Sequence, residues 1–216
     1  MPRLLELFSG TGSIGKAAHG WDVWGLDISP QFSPRICVDI LEWDYKEFAS
    51  GFFDAVWASI PCQEYSALHT KSARNLTHAN SITNRTREIL AYFNAPYAVE
   101  NPRGSMLWSM TDWPYITDTS YCQYNAGFHG YRKHTRVASN FLLVLRPICK
   151  GGCDATVDGR HQTTAQRGTQ KTYESDRAFT VAELWEIPSE LCALILSQLY
   201  RNLAQAVNRL ESEFQS

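Results

Sequence analysis

The chain carries no strong charge of either sign: 20 Lys and Arg stand against 22 Asp and Glu, for a net charge of −2. That excludes a positive coat for indiscriminate nucleic-acid binding, though not a local basic face. No apolar run is long enough to span a bilayer and no signal-peptide pattern opens the chain, so no membrane partner is expected. A reducing, cytoplasmic or nucleic-acid-associated intracellular setting is the expectation. There the six cysteines read as catalytic, metal-binding or core residues rather than as a disulfide framework. Internal repeats and low-complexity tracts are also missing. Apolar material is plentiful, at 44% hydrophobic against 19% charged over 216 residues. Such a chain can bury a sizeable core, and a single domain over 1–216, monomeric rather than oligomeric, is expected.

The chain is organised around Ser59-Ile60-Pro61-Cys62-Gln63-Glu64-Tyr65-Ser66. Phe52 to Ala58 before it is an apolar, aromatic and β-branched run that reads as a buried strand. Pro61 ends that strand, having no amide to donate and a fixed φ. Cys62 therefore sits on a loop at a strand's carboxyl end, where open α/β sheets bind ligands. A second such end follows Pro96-Tyr97-Ala98-Val99, in Glu100-Asn101-Pro102-Arg103-Gly104. A carboxylate facing the same crevice as a nucleophile is a candidate general acid or ring-nitrogen partner.

Upstream, the strand Arg3 to Phe8 runs into Ser9-Gly10-Thr11-Gly12-Ser13-Ile14-Gly15, with a helix beginning at Lys16. Strand, glycine-rich turn and helix open a nucleotide-cofactor fold, because glycines let a ligand approach the backbone and the helix start offers unpaired amides. A second strand, Asp22 to Ile28, ends near Asp27, where such folds hydrogen-bond a ribose diol. A third, Arg35 to Ile40, brings Asp39 to the same end.

The polar stretch from Glu64 to Ala79, with His69, Lys71, Arg74 and His78, reads as a loop over the substrate. Ile82, Ile89, Leu90 and Phe93 mark one face of a helix beginning near Leu76. Tyr115 to Asp118 and Tyr121 to Tyr124 read as a strand and its extension, and Gly127 to Gly130 as a turn. The basic cluster Tyr131-Arg132-Lys133-His134-Thr135-Arg136 suits phosphate contacts and leads into a strand over Val137 to Leu145. Cys149, Cys153 and His161 follow in a polar, glycine-rich segment, a donor set that suits a structural zinc. A fourth ligand could come from Cys122, His129 or His134. Thr163 to Arg177 reads as a loop bordering the substrate, Phe179 as core or a lid on the cofactor pocket, and Pro188 to Leu210 as a helix.

These pieces resemble the cytosine-5 DNA methyltransferase family, and in particular its short, phage- and virus-type members. Leu7 to Ser13 is similar to the family's cofactor loop, Pro61-Cys62-Gln63 with Ser66 to its nucleophile motif, and Glu100-Asn101 to its Glu-Asn motif. Pro102 stands where the family more often has valine, and Lys133 and Arg136 are the nearest positions to a basic motif not strictly present. The likeness covers about residues 4 to 146. It implies a Rossmann-like S-adenosylmethionine-dependent methyltransferase fold, α/β with a mixed, mostly parallel sheet flanked by helices. S-adenosylmethionine would be bound by Phe8, Ser9, Gly10, Thr11, Gly12, Asp27, Ile28, Asp39, Ile40 and Pro61. Catalysis would fall to Cys62, Glu100 and Arg136, and substrate binding to Gln63, Ser66, Asn101, Arg132 and Lys133. The partner would be DNA, duplex or single-stranded, with residues 147–176 as a reduced target-recognition insert. Transfer of a one-carbon unit to a cytosine nucleotide or RNA stays open, as does a degenerate nucleic-acid-binding module, although such a module needs neither Cys62 nor Glu100.

Overall fold

A computed structural model describes residues 1–66, 73–110, 112–124, 131–161 and 179–213. His69, Lys71, His129, the turn expected over Gly127 to Gly130 and the loop expected over Thr163 to Arg177 lie outside the described residues. The strands are β1 (Arg3–Leu7), β2 (Asp22–Asp27), β3 (Ile36–Cys37), β4 (Ala55–Ser59), β5 (Tyr97–Pro102), β6 (Tyr115–Ser120), β7 (His134–Ser139), β8 (Thr156–Val157) and β9 (Arg160–His161). The helices are α1 (Ser13–Ala17), α2 (Leu76–Phe93), α3 (Leu107–Met110), α4 (Val181–Trp185) and α5 (Ser189–Glu213).

Seven strands form one sheet in the order β3-β2-β1-β4-β5-β7-β6, and β8 pairs with β9 alone. β1 to β5 run parallel, while β7 is antiparallel to both β5 and β6. The central strands are apolar along their length because helices cover both faces: Ala55 to Ala58 of β4 are fully buried. On one face Val56 packs with Ile89, Leu90 and Phe93 of α2 and with Trp43, Tyr45 and Phe53. On the other, Leu4, Trp57 and Ala98 pack with Leu191, Ile195 and Leu199 of α5. Strand order reverses between β1 and β4, and a crevice opens at the carboxyl ends of strands at such a point.

The structure differs from the sequence reading at three strands. β3 is only Ile36–Cys37, because Asp39 turns the chain: its Oδ1 accepts Leu41 N at 2.9 Å and its carbonyl accepts Glu42 N and Trp43 N. β6 runs to Ser120 and then coils into a 3-10 turn over Tyr121–Gln123 instead of continuing extended. Tyr124 N closes that turn on Tyr121 O at 2.9 Å. The last strand of the sheet is His134–Ser139, so it contains part of the basic cluster and stops well short of Leu145. Ser139 Oγ donates to Phe141 O, and the Asn140 side chain bonds Tyr97 N and Ala95 O, which ends the ladder and leaves Leu142 and Val144 exposed.

Candidate active site

A pocket of about 330 Å³ occupies the crevice between the β1 and β4 exits. One wall is the glycine-rich loop. Gly10 and Gly12 have φ of 46° and 70°, and Phe8, a non-glycine residue, is also left-handed at 59°. Such strain is held only where the surroundings over-determine it. Here Ser9 N donates to Leu26 O and Gly12 N to Ser9 O. Gly25 on β2 lets the loop lie close: a Cβ there would stand 3.1 Å from Ser9 Oγ. Asp27 ties the loop to the β2 exit, accepting Gly10 N on Oδ2 at 2.8 Å and Ser29 N on Oδ1 at 2.9 Å.

Glu6 also lines the pocket, although it sits inside β1 and is 4% exposed. It accepts the first amides of α1, from Ile14 at 3.2 Å and Gly15 at 3.1 Å. Burial pushes its carboxyl up to about 7 against the pull of those amides.

The opposite wall comes from the ends of β4 and β5, which are in register at Ser59 and Glu100. Pro61, Cys62 and Gln63 therefore leave beside Glu100 and Asn101, and all five line the pocket. Asn101 Nδ2 donates to Ile60 O at 2.6 Å, joining the two exits, while its buried Oδ1 has no hydrogen-bond partner among the described residues. Glu100, 5% exposed, is braced on one oxygen: its Oε1 accepts the Tyr121 hydroxyl at 3.0 Å and the Thr135 hydroxyl. Lys133 reaches the pocket with its ammonium 4.7 Å from the Tyr121 ring centroid.

Of the residues singled out from sequence, the pocket wall thus contains Phe8, Ser9, Gly10, Thr11, Asp27, Ile28, Pro61, Cys62, Gln63, Glu100, Asn101 and Lys133. Six others lie elsewhere. Gly12 caps α1. Asp39 holds its turn and Ile40 is core, at 3% exposure. Ser66 gives its carbonyl to Arg74. Arg132 is exposed. Arg136 is clamped on Asp118, Nε to Oδ1 at 2.6 Å and Nη2 to Oδ2 at 2.9 Å, and that guanidinium holds the Asp118 carboxyl below the usual carboxylate range. Phe32, Trp185 and Ile187 join the wall without having been singled out; Phe32 and Trp185 meet edge to face at 6.4 Å. Phe179 packs on Tyr131.

A second cluster lies behind the β6–β7 side. The ligand atoms of Cys122, Cys149, Cys153 and His161 all fall within 4.8 Å of one another. His161 Nε2 is 3.2 Å from Cys122 Sγ, 3.4 Å from Cys149 Sγ and 3.3 Å from Cys153 Sγ. Gly151 N points at Cys149 Sγ from 3.3 Å. Of the three candidates for fourth ligand, Cys122 fills the position; His134 instead meets Ser120 Oγ through Nδ1 at 2.7 Å, and His129 lies outside the described residues. Three thiols and one imidazole converging on a point fit a tetrahedral zinc.

A glycine loop, a strand-end aspartate and a cysteine paired with a glutamate, all meeting at the reversal of a mostly parallel sheet, define a Rossmann-like methyltransferase. Comparison with known proteins is more specific. The chain belongs to the DNA (cytosine-5)-methyltransferase family. It is 36% identical over 168 residues to the probable DNA (cytosine-5)-methyltransferase of Frog virus 3 (isolate Goorha), a match covering 69% of this chain and 75% of the relative. No family model matches. Among solved structures, the Entamoeba histolytica methyltransferase EhMeth is similar over 68% of this chain and 56% of its own, with 18% identity and a TM-score of 0.48. Dnmt2 of S. pombe matches over 68% of this chain and 52% of its own, at 17% identity and a TM-score of 0.44. The chain spans just over half the length of these two structures.

Proposed function

We propose that this chain transfers a methyl group from S-adenosylmethionine to carbon 5 of cytosine in DNA. One observation carries the proposal: Cys62 and Glu100 leave neighbouring parallel strands into one pocket shared with the glycine loop. The donor's side would be held by the loop from Phe8 to Thr11, by Asp27 and Ile28, and by the Trp185 ring. S-adenosylmethionine, when bound, supplies an electrophilic methyl group. Carbon 5 of cytosine is a poor nucleophile within its aromatic ring. Addition of the Cys62 thiolate at carbon 6 forms a carbon–sulfur bond and moves an electron pair toward carbon 5. Glu100, fixed on one oxygen, holds a proton at ring nitrogen 3 and draws off charge. After methylation, loss of the carbon 5 proton returns its electron pair to the ring and expels Cys62. The Asn101 side chain holds the two strand exits together, and Lys133 meets the phosphate or base from the β7 side.

A base stacked in duplex DNA does not reach such a pocket, so the target is flipped out at about a few kcal/mol. DNA is preferred over RNA because the Frog virus 3 relative is named for DNA. In this reading the protein is a monomeric single domain working on nucleic acid inside a cell, and residues 147–176, of which 162–176 lie outside the described residues, form a reduced target-recognition insert. Among the described residues no helix is long and apolar enough to cross a membrane. A zinc ion on Cys122, Cys149, Cys153 and His161 completes the reading.

The test is transfer of a labelled methyl group to duplex DNA, single-stranded DNA, RNA and free cytosine nucleotides. Label on cytosine of DNA, lost in Cys62→Ala while donor binding persists, is the expected result. Unchanged turnover in Cys62→Ala would overturn the mechanism, and label on RNA or nucleotide alone would overturn the substrate.

A further inference from the structure

We infer that the metal held by Cys122, Cys149, Cys153 and His161 is a clasp that positions Glu100 and Lys133 through Tyr121. The inference rests on zinc binding as proposed above and adds what the metal does for the pocket. Between Pro147 and His161 Cys149 is the one buried residue, so this segment has no core of its own. β8 and β9 are two residues each. Only a cross-link gives such a segment a fixed place, and metal binding supplies it as folding free energy.

What the clasp grips is the turn after β6. Cys122 is the next residue after Tyr121, which is fully buried. The Tyr121 ring touches two pocket groups at once, with its hydroxyl on Glu100 and its face under the Lys133 ammonium. The backbone repeats the connection: Tyr121 N donates to Lys133 O at 2.9 Å, and Cys149 N donates to Ser120 Oγ at 3.0 Å. Ser120 Oγ in turn meets His134 Nδ1. Ser120, Tyr121 and Cys122 therefore join the four-ligand knot to Glu100 on β5 and to Lys133 and His134 at the start of β7. The donor side, on β1 and β2, has no such link among the described residues. Tyr121 is a positioning residue, because it acts on the base only through Glu100 and Lys133. A misplacement of about 1 Å at a reacting group is enough to slow a reaction about a hundredfold.

The test uses the full chain as wild type, Cys153→Ser, Tyr121→Phe and the double variant. Zinc is counted by elemental analysis, backbone hydrogen exchange is read by mass spectrometry, and donor affinity and single-turnover methyl transfer are measured on each. One zinc per wild-type chain and none in Cys153→Ser are expected. Loss of zinc should speed exchange about tenfold at Tyr121 and over β7 while leaving β1 and β2 unchanged. Cys153→Ser and Tyr121→Phe should each slow transfer about tenfold with donor affinity unchanged, and the double variant should be no slower than the slower single, because both act through one path. A wild type without zinc would overturn the metal site itself. Zinc present, with exchange at Tyr121 and β7 indifferent to its loss, would overturn the clasp whether or not the chain methylates DNA. Losses that multiply in the double variant would overturn the path through Tyr121. If Cys153→Ser fails to fold, Tyr121→Phe with zinc retained and full transfer rate overturns the path alone.

Discussion

Replacing Glu6 with glutamine should change how the protein's stability depends on pH. The wild-type carboxyl is buried in β1 under the start of α1, and burial raises it from 4.5 to about 7 despite two amide donors. Between those two values the folded chain keeps a proton that the unfolded chain has released. The stability that this proton contributes is complete below pH 4.5 and is lost as pH rises through 7. At about 1.4 kcal/mol per pH unit, the rise is worth about 3 kcal/mol. Glutamine does not titrate, so the Glu6→Gln variant lacks that slope. Urea unfolding of both proteins from pH 4.5 to 8 isolates the effect, since every other titrating group cancels in the difference. The wild type should lose about 3 kcal/mol relative to the variant across the window. A difference that stays flat with pH would refute the reasoning, because it would mean that Glu6 is ionised in the folded chain as readily as in the unfolded one.

Two further outcomes follow from the same structure. Gly25→Ala places a Cβ 3.1 Å from Ser9 Oγ and 3.2 Å from Ser9 Cβ, so the glycine loop must shift. Overpacking of this kind costs about 1–3 kcal/mol, and calorimetry should show donor affinity weakened about tenfold or more; wild-type affinity would refute the close approach. Asp118→Asn removes the carboxylate that clamps Arg136 and Arg103. Because the pair is partly exposed and screened, the loss at pH 7 should be about 1 kcal/mol. Asp118 titrates below its ordinary value of 3.8 in the folded chain, so its contribution is present above that value and lost as pH falls below it. Unfolding curves of the two proteins should therefore draw together as pH falls below 3.8.

The parts of the site legible in sequence share one property: they are strand exits. Pro61-Cys62 and Glu100-Asn101 each follow an apolar run that ends abruptly, and their proximity then follows from β4 and β5 being parallel neighbours. Glu6 was invisible for the opposite reason. It stands within an apolar strand, and nothing local says that its side chain meets the amides of a helix eight residues on. Trp185 and Ile187 carry no local signal, because only the tertiary fold brings the end of α4 and the link to α5 back to the glycine loop. Arg136 lies outside the pocket wall for a reason that charge density in the sequence does not reveal: Asp118, directly opposite in the β6–β7 register, takes its Nε and Nη2. The fourth cluster ligand stayed open among three candidates because Cys122 lies 39 residues from His161 and reaches it through a turn that the sequence suggested was extended.

The bond from Ile187 N to Ser13 Oγ, 3.1 Å long, spans 174 residues. It stitches the last wall of the pocket to the glycine loop. During synthesis at about 5–20 residues per second, the glycine loop waits roughly 10–30 s for that partner to be made. Until then its left-handed backbone has Leu26 and Asp27 to hold it but no roof. The order of manufacture thus sets the order of competence: until α5 is made, both the Ile187 side of the pocket and the sheet face under Trp57 and Ala98 stay open. A ribosome-stalled chain ending before Trp185 lacks α5 as well, so the sheet face of Leu4, Trp57 and Ala98 stays uncovered, and it should bind S-adenosylmethionine far more weakly than the released protein.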